Sequence, residues 1–224
     1  MTRAHMHFMG VGGVGMCGLA EIMVNEGIRV SGCDLSESER TTHLRELGID
    51  VAIGHDGSHL EQADALVVTS AVSKSEPELL AASERGIAVV RRAELLAEIM
   101  RPRQGVAVAG THGKTTTTAL IGHLTTTLGQ DPTVVVGGRA LFMDGHARIG
   151  SGKLLVCEAD EFDRSFLELG PRVAVVTNLE PEHLDCYDGV DDLERAFATF
   201  ANRVSAFGAV ILCADDPGSW GLRP

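Results

Sequence analysis

The sequence predicts an α/β protein in which parallel strands are covered by helices. Short apolar runs alternate with helix-length segments along the 224 residues, which is typical of βαβ units. Hydrophobic residues make up 44% of the chain and charged residues 22%, so a sizeable core can form. Two of the apolar runs lead directly into glycine-rich turns, at residues 10–15 and 110–115.

The first half of the chain reads as an alternation of strands and helices. Gly27 and Gly48 follow two of the helical segments, where glycine readily ends a helix. In chain order we predict strand 7–9, helix 14–26, strand 28–31, helix 38–47, strands 51–53 and 65–69, helix 76–85, strand 87–90 and helix 93–100. Pro102 lies between charged residues after a full helix and indicates a domain boundary. We therefore assign residues 1–103 to one domain and residues 104–224 to a second.

The second half repeats the pattern with a different turn. In chain order we predict strand 106–109, helix 114–128, strands 133–136, 154–157 and 173–177, helix 193–204 and strand 210–213. Gly129 stops the helix that follows the glycine turn. This series predicts a second parallel sheet.

The charge balance excludes some classes of function. Nineteen basic and 31 acidic residues give a formal net charge of −12, which argues against a nucleic-acid or membrane-surface partner. No apolar stretch approaches 18 residues, and the start of the chain has no uninterrupted apolar segment. We therefore expect a cytoplasmic protein without membrane insertion.

Cysteines and histidines give weaker signals. The cysteine count is five, which is odd, and no C-x-x-C pair occurs, so we predict free thiols rather than disulfides or a zinc site. His5, His7 and His59 read as surface or packing residues. His55 is read either as a loop residue or as a residue that faces a ligand of the first domain.

The first glycine turn, residues 10–15, matches G-x-G-x-x-G between a strand and a helix. Glycines at these positions allow a tight turn and a close approach of backbone amides to a diphosphate, as in Rossmann-like domains. Asp34 ends the next strand, where an acid that binds a ribose would lie. The motif does not distinguish NAD from another nucleotide diphosphate. A turn needed only for helix–strand packing is the alternative.

The second glycine turn predicts a phosphate loop of the P-loop ATPase type. Its amides would hold phosphate, Lys114 would neutralise the β- and γ-phosphates, and the Thr115 hydroxyl would bind Mg²⁺. The loop departs from G-x-x-x-x-G-K-[ST], because Val108 stands at the first glycine position. The candidate nucleotide-binding residues are Gly110, Thr111, His112, Gly113, Lys114, Thr115 and Thr116. Of these, His112 also reads as a residue that shapes the turn, and Thr116 as a helix-start residue.

Acidic residues follow two later strands. Glu158 directly follows a strand and is a candidate Mg²⁺ ligand. For the nearby acids the metal and solvated-loop interpretations both stay open; these acids are Asp160, Glu161 and Asp163. His183 lies among acidic residues after the strand that ends at Thr177, so it is a candidate second metal or phosphate ligand.

Four segments together resemble the Mur ligases of peptidoglycan synthesis. In chain order they are HFMGVGGVGMCGLAE, AGTHGKTTTT, EADEFDRSF and TNLEPEHLD, and the resemblance extends from residue 7 to about residue 216. It implies an N-terminal domain for a UDP-sugar, a central domain for Mg²⁺ and ATP, and a C-terminal domain. It also implies ATP-dependent joining of L-alanine to the lactyl carboxylate of UDP-N-acetylmuramate through an acyl phosphate.

The resemblance also implies roles for individual residues. The substrate-binding set consists of Gly12, Gly13 and Gly15 at the UDP diphosphate, with Asp34 and with Ser70 near the UDP-sugar. The catalytic set is Lys114, Glu158 and His183, and the metal ligands are Thr115, Glu158 and His183. Glu182 stands where the family usually has Asp.

The resemblance fades after Pro217, and family members are roughly twice as long. We therefore expect an incomplete central domain and no C-terminal domain. Three other interpretations stay open. A non-catalytic remnant would bind only the UDP-sugar or nucleotide, and a related Mur ligase would add a peptide. An NAD-dependent oxidoreductase would leave the phosphate loop and Glu158 unexplained.

Overall fold

The computed structural model describes residues 4–70, 72–73, 75–138, 140, 142–143, 147–183 and 185–223. The chain forms two compact units, residues 1–95 with 145–147, and residues 96–144 with 148–224. The division falls inside the helix Arg92–Met100, ahead of the boundary that we predict at residue 103. The two-domain assignment from the sequence stays a prediction.

The first unit is a five-stranded parallel sheet flanked by helices. Its elements are β1 (His5–Met9), α1 (Val14–Asn25), β2 (Arg29–Asp34), α2 (Glu39–Glu46), β3 (Asp50–Ile53), β4 (Ala65–Val68), α3 (Pro77–Arg85), β5 (Ala88–Arg91) and α4 (Arg92–Met100), the last crossing into the second unit. A 3₁₀ turn at Gly57–Leu60 follows β3. The strand order is β3-β2-β1-β4-β5, so the first glycine turn follows the central strand where the order reverses. Ligands of open parallel sheets bind at this kind of position.

Local sequence explains the helices of the first unit. All residues from Met16 to Met23 of α1 are buried, which fits a helix that packs closely against the sheet. Ser38 caps α2: its hydroxyl accepts the Thr41 N–H at 3.2 Å, and the Thr41 hydroxyl accepts the Ser38 N–H at 2.9 Å. Gly86 ends α3 in the left-handed conformation, at φ +67°.

The second unit contains most of a six-stranded sheet. Its elements are β6 (Gln104–Ala109), α5 (Lys114–Thr127), β7 (Thr133–Val135), β8 (Ala147–Arg148), β9 (Leu154–Glu158), β10 (Val173–Val176), α6 (Val190–Asn202), β11 (Ala209–Leu212) and α7 (Pro217–Gly221). The strand order is β11-β10-β6-β9-β7-β8, and the pairs β11–β10, β10–β6, β6–β9 and β9–β7 are parallel. The structure confirms the α/β class and every predicted strand and helix, with ends that differ by a few residues. It adds β8, α7 and two 3₁₀ turns.

The core of the second unit includes a cluster of aromatic rings. Helix α6 buries Leu193, Ala196, Phe197 and Phe200, the i, i+3, i+4, i+7 spacing of one helix face. Phe166, in the 3₁₀ turn Ser165–Glu168, lies with its ring centroid 5.2 Å from those of Phe197 and Phe200. These rings anchor α6 on the unit that carries the phosphate loop.

Two sequence-based expectations concern the chain as a whole. All five cysteines are free thiols, as predicted. Among the described residues, no helix has both the length and the apolar character needed to cross a bilayer.

We predict that Phe200→Ala lowers the free energy of unfolding by about 3–5 kcal/mol, because it leaves a cavity in a fully buried cluster. Phe207→Ala is the matched control, since Phe207 is 88% exposed and its removal should change stability by less than about 0.5 kcal/mol. Urea denaturation of both variants measures the difference. Equal effects would contradict this account of the core.

Candidate functional site

The second glycine turn passes so close to the end of β10 that residue 110 must be glycine. Gly110 has φ +136°, and a Cβ atom there would lie 2.0 Å from the Thr177 hydroxyl oxygen. That hydroxyl donates a hydrogen bond to the His112 carbonyl at 2.6 Å. The path of the turn is therefore set by contact with the residue that follows β10.

The segment after β10 also holds the turn through polar contacts. The Asn178 side chain accepts the His112 N–H at 2.7 Å and donates to the His112 carbonyl at 3.1 Å. The buried Thr111 hydroxyl accepts the Glu180 N–H at 2.9 Å. Gly113 then adopts φ +80° as the N-cap residue of α5. The first-turn amides of this helix have no partner within the helix. Such amides can bind an anion.

Lys114 lies folded over the turn. Its ammonium group donates to the Gly110 carbonyl at 2.7 Å, to the Thr111 carbonyl at 3.3 Å and to the Glu161 carboxylate at 2.8 Å. The Lys114 side chain is only 16% exposed. Three acceptors thus fix a positive charge beside the start of α5.

Glu161 is a site residue that the sequence left undecided between a ligand and a solvated loop residue. It is 1% exposed, and its Oε2 atom has no hydrogen-bond partner among the described residues. Burial raises the pKa of the Glu161 carboxyl, whereas the hydrogen bond from Lys114 opposes this rise. The Tyr187 hydroxyl donates to the Glu161 carbonyl at 2.5 Å and so fixes the backbone. Several acidic residues lie close together in segment 158–163, and the sequence does not indicate which carboxylate turns inward.

Glu158 ends β9 beside the start of α5. Its Oε1 atom accepts the Gly137 N–H at 2.5 Å, and its carboxylate also accepts a hydrogen bond from the Thr115 side chain. Burial raises the pKa of the Glu158 carboxyl, and these two hydrogen bonds oppose the rise. A hydroxyl and a carboxylate are therefore adjacent, and the prediction that they bind Mg²⁺ stays a prediction.

The two histidines near this turn are placed differently. His183 Nε2 lies 3.7 Å from the Glu161 carboxylate, and the His183 ring packs edge-on against Phe162 with centroids 5.0 Å apart. His112 is exposed and lies 3.6 Å from Glu182. Thr116 is exposed in the first turn of α5. The structure thus brings His183 together with Lys114 and Glu161, while His112 lies outside the buried contacts.

The first glycine turn uses most of its own amides. Gly10 and Val11 donate to the Cys33 carbonyl at 2.8 and 3.0 Å, and Gly13 donates to Gly10. Gly12 donates to the Asp34 carboxylate at 2.9 Å, and a Cβ atom on Gly12 would lie 2.8 Å from the same oxygen. Asp34 therefore braces the turn. The amides still available to a diphosphate are those of the first turn of α1, at Val14 and Gly15.

Two arginines that the sequence did not indicate flank this turn. Arg40, in α2, donates through Nε to the Gly12 carbonyl. Arg92 packs so close to Gly15 that a Cβ atom there would lie 3.2 Å from the Arg92 side chain. Neither arginine belongs to a motif, so only the fold reveals them. Ser70 is exposed just beyond β4.

Comparisons with known proteins match both halves of the chain to one family. Residues 5–104 match the family described as "Mur ligase family, catalytic domain", and residues 108–221 match "Mur ligase middle domain". Two similar relatives are both named UDP-N-acetylmuramate–L-alanine ligase. The protein of Geotalea daltonii is 49% identical over 94% of this chain and 46% of its own length. The protein of Solidesulfovibrio magneticus is 50% identical over 98% of this chain and 48% of its own length. The chain spans about half the length of these curated relatives.

Solved structures agree with this assignment. The UDP-N-acetylmuramate–alanine ligase MurC of Thermotoga maritima superposes with a TM-score of 0.89 at 31% identity, over 97% of this chain and 51% of that chain. A second neighbour, from Neisseria meningitides, is a ligase named for UDP-N-acetylmuramate and the peptide L-alanyl-γ-D-glutamyl-meso-diaminopimelate. It superposes with a TM-score of 0.91 at 28% identity, over 99% of this chain and 74% of that chain.

We predict that Gly110→Ala lowers the free energy of unfolding by about 2 kcal/mol or more, because Cβ overlaps the Thr177 hydroxyl at a strained φ. Gly129→Ala is the control: Gly129 also has positive φ, at +75°, but no atom lies within 4 Å of the added Cβ. The control substitution should lower the free energy of unfolding by only about 1 kcal/mol. Adding Thr177→Ala should restore part of the loss only in the Gly110→Ala background, as measured by a double-mutant cycle in urea.

Proposed function

The chain belongs to the Mur ligase family, and on that premise we propose that it carries the UDP-sugar and ATP sites of an alanine-adding ligase. The reaction would join L-alanine to the lactyl carboxylate of UDP-N-acetylmuramate. The observation that supports this most is the gathering of Lys114, Glu158, Glu161 and His183 around one phosphate loop. Relatives about 49% identical carry the name of this activity.

The residues of the second unit fit Mg²⁺ and ATP. The Thr115 hydroxyl and the Glu158 carboxylate supply oxygen donors of the kind that Mg²⁺ prefers, and His183 is a further candidate ligand. Glu161 adds a buried oxygen without a partner among the described residues. The buried Glu161 and the half-buried Glu158 carboxylates beside one lysine leave an excess of negative charge that a divalent cation would offset.

The proposed chemistry brings two anions together, a substrate carboxylate and a phosphoryl group. Lys114 would reduce their repulsion, and its contacts to two loop carbonyls and Glu161 hold its charge in place beforehand. Bound Mg²⁺ would add charge stabilisation at the transferred group. The lactyl carboxylate would attack the γ-phosphoryl group of ATP, giving an acyl phosphate and releasing ADP. The L-alanine amine would then attack the carbonyl carbon of the acyl phosphate, lose a proton and displace phosphate to form the amide.

The first unit would hold the UDP diphosphate at residues 10–15. The Gly12 N–H already donates to the Asp34 carboxylate. We therefore propose that the Val14 and Gly15 amides contact the phosphates. Arg40 and Arg92 would offset the negative charge that Asp34 places beside them. Contacts from Gly13, from Asp34 to the ribose and from Ser70 to the UDP-sugar remain predictions, as does a cytoplasmic location.

Two other functions stay in consideration. The close superposition on the peptide-adding ligase of Neisseria meningitides favours a peptide as the second candidate substrate. A protein that only binds the UDP-sugar or the nucleotide is the other candidate, since the amides and charges of both glycine turns serve binding as well as catalysis. Detection of the reaction product by mass spectrometry distinguishes both candidates from the alanine-adding ligase.

We predict that the purified chain, with UDP-N-acetylmuramate, L-alanine, Mg²⁺ and ATP, yields the alanyl adduct detected by mass spectrometry. Lys114→Ala should reduce its formation by about 100-fold or more, because the charge that brings the anions together is lost. Lys153→Ala is the control, since Lys153 is an exposed lysine of the same unit. Binding of UDP-N-acetylmuramate to each variant reports whether it is folded.

The other outcomes separate the candidates. An adduct formed only with the L-alanyl-γ-D-glutamyl-meso-diaminopimelate peptide would support the peptide-adding function. A folded chain that binds UDP-N-acetylmuramate but forms no adduct would support the binding-only function and contradict the ligase proposal for this chain.

We also predict that Arg40→Ala and Arg92→Ala each weaken UDP-N-acetylmuramate binding by about 10-fold or more, as expected when a charge-assisted contact to phosphate is lost. Arg85→Ala is the control, because Arg85 is exposed at the end of α3 and donates to the Gly57 carbonyl. Titration calorimetry measures all three. Unchanged affinity in both test variants would place the diphosphate away from this turn.

A further inference from the structure

A second cluster of ligand-type side chains lies in the first unit, beneath α3 and the 3₁₀ turn Gly57–Leu60. It combines His7 of β1, Cys33 of β2, His59 of the 3₁₀ turn and Glu78 of α3. One nitrogen, sulfur or oxygen atom from each residue lies within 4.8 Å of the corresponding atoms of the other three. The proposed ligase function uses none of these side chains.

Direct contacts already link the members of this cluster. The Cys33 sulfur lies 3.1 Å from Glu78 Oε1, and His59 Nδ1 lies 3.4 Å from the same oxygen. The His7 and His59 rings are 5.6 Å apart between centroids. His55 Nδ1 lies 3.2 Å from both the Cys33 sulfur and Glu78 Oε1. Three types of donor atom therefore converge on one point.

Two buried atoms of the cluster lack hydrogen-bond partners among the described residues. His7 is 2% exposed, and its Nδ1 contacts the Ser31 hydroxyl at 2.8 Å while its Nε2 has no partner. Glu78 is 0% exposed, and its Oε2 has no partner. Leaving a buried polar atom unpaired is costly, so unpaired atoms at two ligand-type side chains point to a missing bound group.

We propose that His7, Cys33, His59 and Glu78 form a structural zinc site. Two imidazoles, a thiolate and a carboxylate are donors that zinc binds tetrahedrally, and four protein ligands close the coordination sphere. Tetrahedral ligands lie about 3.5 Å apart, so the widest pairs need to approach by about 1 Å. His55 would act as an outer hydrogen-bond partner that orients the Glu78 carboxylate.

The surroundings of the cluster would let a metal ion reach the ligand atoms from solvent and would keep the bound ion buried. A cavity of about 370 Å³ adjoins it and is lined by His5, His7, Ser31 and His59, which gives an approach to the ligand atoms. Cys33 itself belongs to an apolar core cluster that includes Met9. The ion would tie two strands to the 3₁₀ turn and α3, which lie far apart along the chain.

This site differs from what cysteine spacing predicts. The absence of a C-x-x-C pair led us to expect no zinc site. Here the four ligands come from four separate elements, and only the parallel sheet and its crossovers bring them together. Sequence spacing therefore carries no signal for it.

The test uses the purified, metal-stripped 224-residue chain titrated with Co²⁺ and then Zn²⁺. We expect one equivalent of Co²⁺ to give thiolate-to-cobalt charge-transfer absorption, which Zn²⁺ then displaces. Cys33→Ser should abolish this absorption and weaken Zn²⁺ binding by on the order of 100-fold, at least as much as loss of an outer-shell partner does. His59→Ala should weaken binding similarly, and it carries the test if Cys33→Ser does not fold.

Two controls assign the site. Cys17→Ser should leave the absorption intact, because Cys17 is a buried thiol of the same unit that contacts Glu21 instead. Glu158→Gln should also leave it intact, which separates this site from the proposed Mg²⁺ site. No charge-transfer absorption in the unaltered chain, or the same absorption in Cys33→Ser, would overturn the proposal and leave the cluster as a hydrogen-bonded network. Neither result depends on ligase activity.

Discussion

The contact of the phosphate loop with the end of β10 governs the geometry of the second unit. Gly110 lies against the Thr177 hydroxyl, and the next residue, Asn178, also holds the loop through its side chain. Once the loop is seated there, the Gly110 carbonyl is positioned to receive the Lys114 ammonium group. The lysine then pairs with Glu161, which would otherwise be an isolated buried charge. Strand packing, loop path and charge placement are thus successive consequences of one close approach.

The two glycine turns offer phosphate different electrostatic surroundings. At the second turn, one lysine lies beside the buried Glu161 and the half-buried Glu158, so an anion needs a cation to accompany it. At the first turn, Asp34 is already bound to Gly12, and Arg40 and Arg92 lie close by. A diphosphate can therefore be held there by side-chain and amide contacts alone. This contrast fits the proposal that the first unit binds the UDP-sugar and the second unit binds Mg²⁺ and ATP.

Burial of polar groups is a feature of both units. Glu161 and Glu78 are almost fully buried, and each has one carboxylate oxygen without a partner among the described residues. An apolar core of similar volume would be easier to stabilise, because unpaired buried oxygens are costly. Their presence is most simply understood if each oxygen faces a cation in the working protein. The sheet edges and crossovers make such placements possible, since they bring side chains from distant segments together.

The sequence by itself determined the α/β class, the order of the elements and the two glycine turns, because these depend on local periodicity and on backbone conformations that glycine favours. It also indicated Lys114 and Glu158, since both sit at a strand end or helix start. The tertiary structure alone selected Glu161 from an acidic run, placed Arg40 beside the first turn and gathered three ligand-type side chains, His7, Cys33 and His59, around Glu78. Those outcomes depend on which strands pair and which side chains turn inward, and spacing along one chain does not encode these long-range contacts.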